Sequence, residues 1–179
     1  MSSTSELSGC HVPEHIVGAR CQDGRMAQRR GAGSRDDTTA GRPIDVDDLP
    51  DPMPRIVLVV GEEELLVTRA VAAVAAAMRR ASPDVVETER AGSDIEGPEL
   101  HELLGASLFG DARLVVVRSA QDLRTAAQGV LAPYLESPAD GCTVVLQHAG
   151  GAKGKAVLAS ARAHGAGEIT CARLTRAGE

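Results

Sequence analysis

A three-layer α/β domain with a mostly parallel sheet is what the 179-residue sequence predicts. Two observations lead there. From Arg55 onward, short runs rich in Val, Ile and Leu alternate with longer stretches whose apolar residues recur at helical spacing. The apolar runs are continuous, the pattern of strands covered on both faces. Right-handed crossovers between such strand-helix units place helices on each side of a parallel sheet.

Ile56 to Val60 reads as the first strand, and Gly61 turns the chain into a helix from about Glu62 to Arg80. Leu66, Ala70, Ala73, Val74, Ala77 and Met78 line one face of that helix. Glu62, Glu63 and Glu64 sit at the positive end of its dipole, and Arg79 and Arg80 at the negative end. Ser82-Pro83 ends it, and Val85 to Thr88 forms a short second strand. Ser93 or Asp94 caps the next helix, which carries Pro98 in its first turn and runs through Leu104. Leu114 to Val117 is the third strand. Asp122 to Leu135 is helical, with Leu123, Ala127, Val130, Leu131 and Tyr134 on one face, until Ser137 to Gly141 breaks the chain. Cys142 to Leu146 is the fourth strand, Lys155 to His164 a helix, and Glu168 to Cys171 the fifth strand.

Residues 1–53 mix charges with Gly, Ser, Thr and Pro and show neither helical nor alternating periodicity. They read as a disordered tail, or as an extension upstream of a translation start at Met53, with the α/β domain occupying residues 54–179. Cys10, His11, His15 and Cys21 match no common zinc-finger spacing, so no metal site is expected. The four cysteines, Cys10, Cys21, Cys142 and Cys171, are spaced as free thiols. A composition of 43% hydrophobic and 25% charged residues is that of an ordinary globular protein. The net charge of -6 gives no basic excess with which to grip DNA directly. No apolar run approaches the roughly 20 residues of a membrane span, and no secretory leader is visible, so a cytoplasmic location is expected.

Folds of this class often bind a nucleotide after the first strand. Here Gly61, Glu62, Glu63 and Glu64 stand where a phosphate loop would, and three carboxylates would repel a triphosphate. The stretch Gly150-Gly151-Ala152-Lys153-Gly154-Lys155-Ala156 has a Gly-Lys pair, but Ala149 and Ala156 occupy positions that a phosphate loop fills with Gly and Ser or Thr. A solvated loop is the simpler reading, with a weak anion contact through Lys153 and Lys155 as the alternative. No catalytic constellation is legible: the three glutamates point in different directions around a helix, and His101, His148 and His164 read as surface histidines.

The sole Phe lies in Ser107-Leu108-Phe109-Gly110, between a predicted helix and a predicted strand. Residue types allow two readings. Leu108 could extend the buried stripe of Leu100, Leu103 and Leu104, since offsets of 3, 4 and 8 share a helical face. Alternatively, Leu108 and Phe109 form an exposed apolar wedge that needs a partner pocket.

Taken in order, the strand, Gly-Glu-Glu-Glu-Leu-Leu at 61–66, the long helix and Leu103-Leu104-x-x-Ser107-Leu108-Phe109-Gly110-x-x-Arg113-Leu114-Val115-Val116-Val117 closely resemble the N-terminal domain of the bacterial DNA polymerase III delta subunit. The resemblance runs from about Arg55 to the end of the chain. It implies an AAA+ ATPase fold without a working phosphate loop, no bound cofactor and no catalytic residue of its own. The family is nevertheless part of a DNA-directed DNA polymerase, a nucleotidyltransferase holoenzyme. By the same resemblance, Leu108 and Phe109 would enter an apolar pocket on the sliding clamp (the beta subunit), with Ser107 and Gly110 shaping the turn. The burial reading of Leu108 then gives way to the wedge. Partners would be the clamp and the other clamp-loader subunits, with DNA reached only through the complex and ATP bound by partner subunits. Family members continue into lid and collar domains that do not fit before Glu179, so the chain reads as a fragment. Two further functions are compatible with the residues: a degenerate α/β nucleotide-binding enzyme and an interaction module with an unrelated partner.

Overall fold

The computed structural model describes residues 41–107 and 110–171. The strands are β1 (Arg42–Pro43), β2 (Ile56–Val60), β3 (Val86–Ala91), β4 (Arg113–Arg118), β5 (Cys142–His148) and β6 (Gly167–Thr170). They form one sheet in the order β1-β6-β2-β5-β4-β3, with every neighbouring pair parallel. The helices are α1 (Glu64–Ala81), α2 (Gly97–Leu104), α3 (Thr125–Glu136) and α4 (Lys155–Ala163), with a short 3-10 turn at Ala120–Asp122. No helix among the described residues is long and apolar enough to cross a membrane.

Alternation along the strands divides the core in two. Val57, Val59, Leu114, Val116 and Val145 face α1, whose Ala70, Val74, Ala75 and Met78 are buried against them. Leu58, Val115, Val117, Val144 and Leu146 face the opposite layer of α2, α3 and α4. The result is the three-layer α/β architecture that the continuous apolar runs predict.

Element bounds differ from the sequence reading where surface chemistry hides the strand signal. β3 runs to Ala91, because Glu87, Glu89 and Arg90 pair in register with β4 even though they are charged. Charges on an edge strand discourage pairing with other chains, and they also remove the apolar pattern by which a strand is recognised. Before α3, the chain from Ala120 to Asp122 is a 3-10 turn rather than helix, entered through Ser119 at φ 49°.

The domain boundary at Met53 requires correction. Arg42 and Pro43 pair with Gly167 and Glu168 as an outer strand, and Ile44, Val46, Leu49 and Met53 pack partly buried against the α1-side core. Residues 41–53 therefore belong to the fold; residues 1–40, including Cys10, His11, His15 and Cys21, lie outside the described residues. Gly41 and Gly167 allow the close approach. A side chain at Gly41 would meet Glu168 within 2.9 Å, and one at Gly167 would collide with Ile44.

Glu168 holds this junction. Only 8% exposed, its carboxylate accepts hydrogen bonds from Arg162 Nε at 2.8 Å and Nη2 at 2.6 Å, and from the Gly41 N–H at 2.8 Å. The bidentate Arg162 contact, helped by the Gly41 N–H, holds the carboxyl below its ordinary value despite burial, which acts the other way. A lowered native pKa means that ionised Glu168 stabilises the fold above the unfolded-state carboxylate range, and that this contribution is lost as pH falls through the native pKa. Glu168→Gln is expected to cost about 2 kcal/mol near neutral pH. The gap between the two proteins, measured by denaturant titration, should be full above the ordinary carboxylate range and shrink as pH falls through the lowered native pKa. A gap independent of pH would show that the carboxylate charge is not what holds the junction.

Candidate functional site

Two places carry the residues singled out by sequence, at opposite ends of the sheet. Because all strands are parallel, the β2–α1 and β5–α4 turns lie at the carboxyl edge, whereas the α2–β4 turn lies at the edge where strands begin.

At the carboxyl edge, Gly61, Glu62, Glu63, Ala149, Gly150 and Thr170 surround an open cleft of about 470 Å³. This is where open α/β sheets commonly take ligands, at the crevice between a strand and neighbours that lead to opposite sides. Its chemistry does not suit a triphosphate. The Gly61 N–H is spent on the His148 carbonyl at 3.0 Å. The space a Gly61 side chain would need is filled by Cys171, whose Cβ lies 2.6 Å from where a Gly61 Cβ would stand. Gly61 is thus a packing glycine that lets the ends of β2 and β6 close together. Glu62, Glu63 and Glu64 are exposed at the start of α1, and none of their side chains caps it. Residues that would have to cradle phosphate instead present carboxylates and a committed backbone amide. Adding about 1 mM ATP with magnesium should shift the melting temperature by less than about 1 °C; a larger rise would contradict this account of the turn.

Lys153 and Lys155 are placed differently. The Lys153 Nζ pairs with Asp122 at 2.6 Å, tying the β5–α4 loop to the 3-10 turn, while Lys155 is exposed at the first position of α4. Gly154, at φ 69°, permits this docking: a Cβ there would stand 2.8 Å from the Cβ of Gln121. His148 is not the surface histidine expected from sequence. It is 3% exposed; its Nδ1 accepts the Gly150 N–H at 2.9 Å, and its buried Nε2 finds no partner among the described residues. Its position as the last residue of β5 buries it, and sequence spacing gives no sign of that. His101 and His164 are exposed. Cys142 and Cys171 are free and buried, and burial pushes both thiols up. No group of three or more His, Cys, Asp or Glu among the described residues is placed to hold a metal ion.

At the opposite edge, α2 ends at Leu104. Leu100 and Leu104 are buried, and Leu103 packs partly buried against the same core. Gly105 is extended, at φ -62° and ψ 154°, so the helical stripe stops there. Leu108 and Phe109 themselves lie outside the described residues. Their flanks are defined: the Gly110 N–H donates to the Ser107 carbonyl at 3.3 Å, and Gly110 adopts φ 75°. Nothing lies within 4 Å of a side chain built at Gly110, so its glycine serves conformation rather than space. Arg113, the first residue of β4, extends its Nη1 to the Gly105 carbonyl at 3.3 Å.

No protein-family model matches the chain, and no curated protein matches it. Among solved structures, it is similar to a DNA polymerase III gamma-subunit-related protein from Thermotoga maritima, at 13% identity and a TM-score of 0.45. That match covers 68% of this chain and 42% of the other. A second similar structure is the RuvB Holliday junction branch migration motor of Thermotoga maritima, at 17% identity and a TM-score of 0.44, covering 68% of this chain and 39% of the other. The chain thus spans about two fifths of the length of each structure.

Proposed function

We propose that this chain is the clamp-gripping domain of a delta-type clamp-loader subunit, with an AAA+ fold that has lost nucleotide binding. The observation that carries the reading is the α2–β4 turn. In sequence, Leu108 and Phe109 stand between a helix that stops at Leu104 and a glycine held at positive φ. The acidic Gly61 to Glu64 turn supports it independently, because a domain that grips without hydrolysing needs no phosphate cradle.

Gripping would act by population shift. A domain that binds the open ring more tightly than the closed ring moves the equilibrium by its difference in affinity and by nothing else. Two apolar side chains fully buried at an interface contribute about 3 to 6 kcal/mol before association costs, enough for a small hot spot to set the affinity.

The test is direct binding of the purified chain to the bacterial sliding clamp, read by surface binding or calorimetry. Saturable binding that Leu108→Ala/Phe109→Ala removes supports the reading. A folded chain that ignores the clamp at tens of micromolar would sink it.

A further inference from the structure

His148 is sealed beneath a loop that hydrogen-bonds to it. The residue ends β5 in register with Val60, and alternation puts its ring on the same face as Val144 and Leu146, toward the layer of α2, α3 and α4. The Gly150 N–H donates to its Nδ1 at 2.9 Å, while its Nε2 is buried without a partner among the described residues. This pairing fixes the ring's protonation. To accept, Nδ1 must present a lone pair, so the ring is neutral and carries its one proton on Nε2.

A second proton is incompatible with the closed loop. It would turn the acceptor into a donor and set two N–H groups head to head across the 2.9 Å between Nδ1 and the Gly150 nitrogen. The cation would also be buried without compensation. Neighbouring elements bring Asp122 from the 3-10 turn, Lys153 from the loop, Lys155 from α4, and Glu62 and Glu63 beyond Gly61. The Asp122 carboxylate is committed to Lys153, the two glutamates are exposed, and Arg118 at the end of β4 pairs with Glu89 beside α1. Nor is there room to turn the ring: a Cβ at Gly154 would stand 3.1 Å from Nε2 and 2.8 Å from the Cβ of Gln121.

The loop, by contrast, can yield. Residues 149–153 are exposed, and besides the His148 contact they are held by the Ala149 N–H to Gln121 Oε1 at 3.3 Å and by Lys153 to Asp122 at 2.6 Å. Gly150 and Gly154, at φ 83° and 69°, flank the segment with backbone that rearranges at little cost.

We propose that His148 is a proton-operated latch: the neutral ring holds the β5–α4 loop closed, and protonation releases it. Only an open loop accommodates the charged ring, so lowering pH shifts the population toward it. Ala149 and Gly150 line the cleft of about 470 Å³ beside Gly61, and Gly150, Gly151 and Lys155 line a second of about 440 Å³ beside α4, so release reshapes both. The latch is independent of the clamp reading.

The test is nuclear magnetic resonance on the full chain between about pH 8 and about pH 5.5, an interval in which histidines change charge and ordinary carboxylates stay ionised. The ring nitrogen signals of His148, assigned by their loss in His148→Asn, should pass from the Nε2–H form to the doubly protonated form. Over the same interval the exchange protection of the Gly150 amide, corrected for the intrinsic effect of pH, should fall about tenfold, with Val144 and Leu146 in the sheet unchanged. In His148→Asn, whose side-chain oxygen accepts from Gly150 but does not titrate, protection should stay high throughout. In His148→Phe, which fills the space without an acceptor, it should be low throughout. A ring that stays neutral at the acid end, or a charged ring above a Gly150 still protected, overturns the latch. A pH dependence that survives in His148→Asn assigns the titration to another group and overturns it too. Loss of protection across the sheet as well would be acid unfolding of the domain, and rejects a local device. Should His148→Phe fail to fold, the ring titration and His148→Asn still decide.

Discussion

Replacing Leu108 and Phe109 together by alanine is expected to lower affinity for the sliding clamp at least about 100-fold, equivalent to about 2.7 kcal/mol, while changing stability by no more than about 1 kcal/mol. The two halves of this expectation have separate grounds. Loss of binding follows from removing both apolar anchors of a small hot spot. Retention of the fold is expected because α2 ends at Leu104 and the core beneath it is built from Ile95, Leu100, Leu104, Leu131 and Leu135. If the pair were core, truncating two large side chains would cost several kcal/mol and any loss of binding would be secondary. Calorimetry and surface binding on the same sample separate the cases. A well-folded double variant that held the clamp with unchanged affinity would remove the residue-level support for this function.

How legible each part of the molecule was depended on whether burial leaves a periodic trace. Ile56–Val60 and α1 were plain, because a strand covered on both faces must be continuously apolar and a helix covered on one face must repeat. The strap formed by residues 41–53 was not, because Ile44, Val46, Leu49 and Met53 are spaced irregularly among Asp and Pro and pack as loop rather than as an element. Glu168 was the available hint: a carboxylate inside a buried strand demands partners, and Gly41 and Arg162 supply them. At the candidate sites, residue types exposed the wrong chemistry for phosphate at Gly61 to Glu64, but not the reason for the glycine, which is contact with Cys171 across 110 residues of chain. His148 was misread for a similar reason, since its burial comes from a strand end and a loop folded over it.

Deleting residues 41–52 from a chain that already lacks 1–40 is expected to destabilise the domain by about 4 kcal/mol and to lower its melting temperature by roughly 10 °C or more. The deletion removes β1, which covers the outer edge of β6, and uncovers apolar surface held by Ile44, Val46 and Leu49. Each of these is half-buried, so each contributes about 1 kcal/mol, less than a fully buried side chain would. Gly41 also leaves, taking one of the three hydrogen bonds from the buried Glu168 carboxylate, while Arg162 stays. A carboxylate that has lost a donor in a buried place is less well compensated, which adds a further fraction of the loss. The Glu168→Gln substitution supplies the internal control. Its cost should be smaller in the shortened chain than in the longer one, because part of what it disrupts has already gone. Equal melting temperatures for the two chains, with the same Glu168→Gln cost in both, would return the boundary to Met53 and make the strap a passenger.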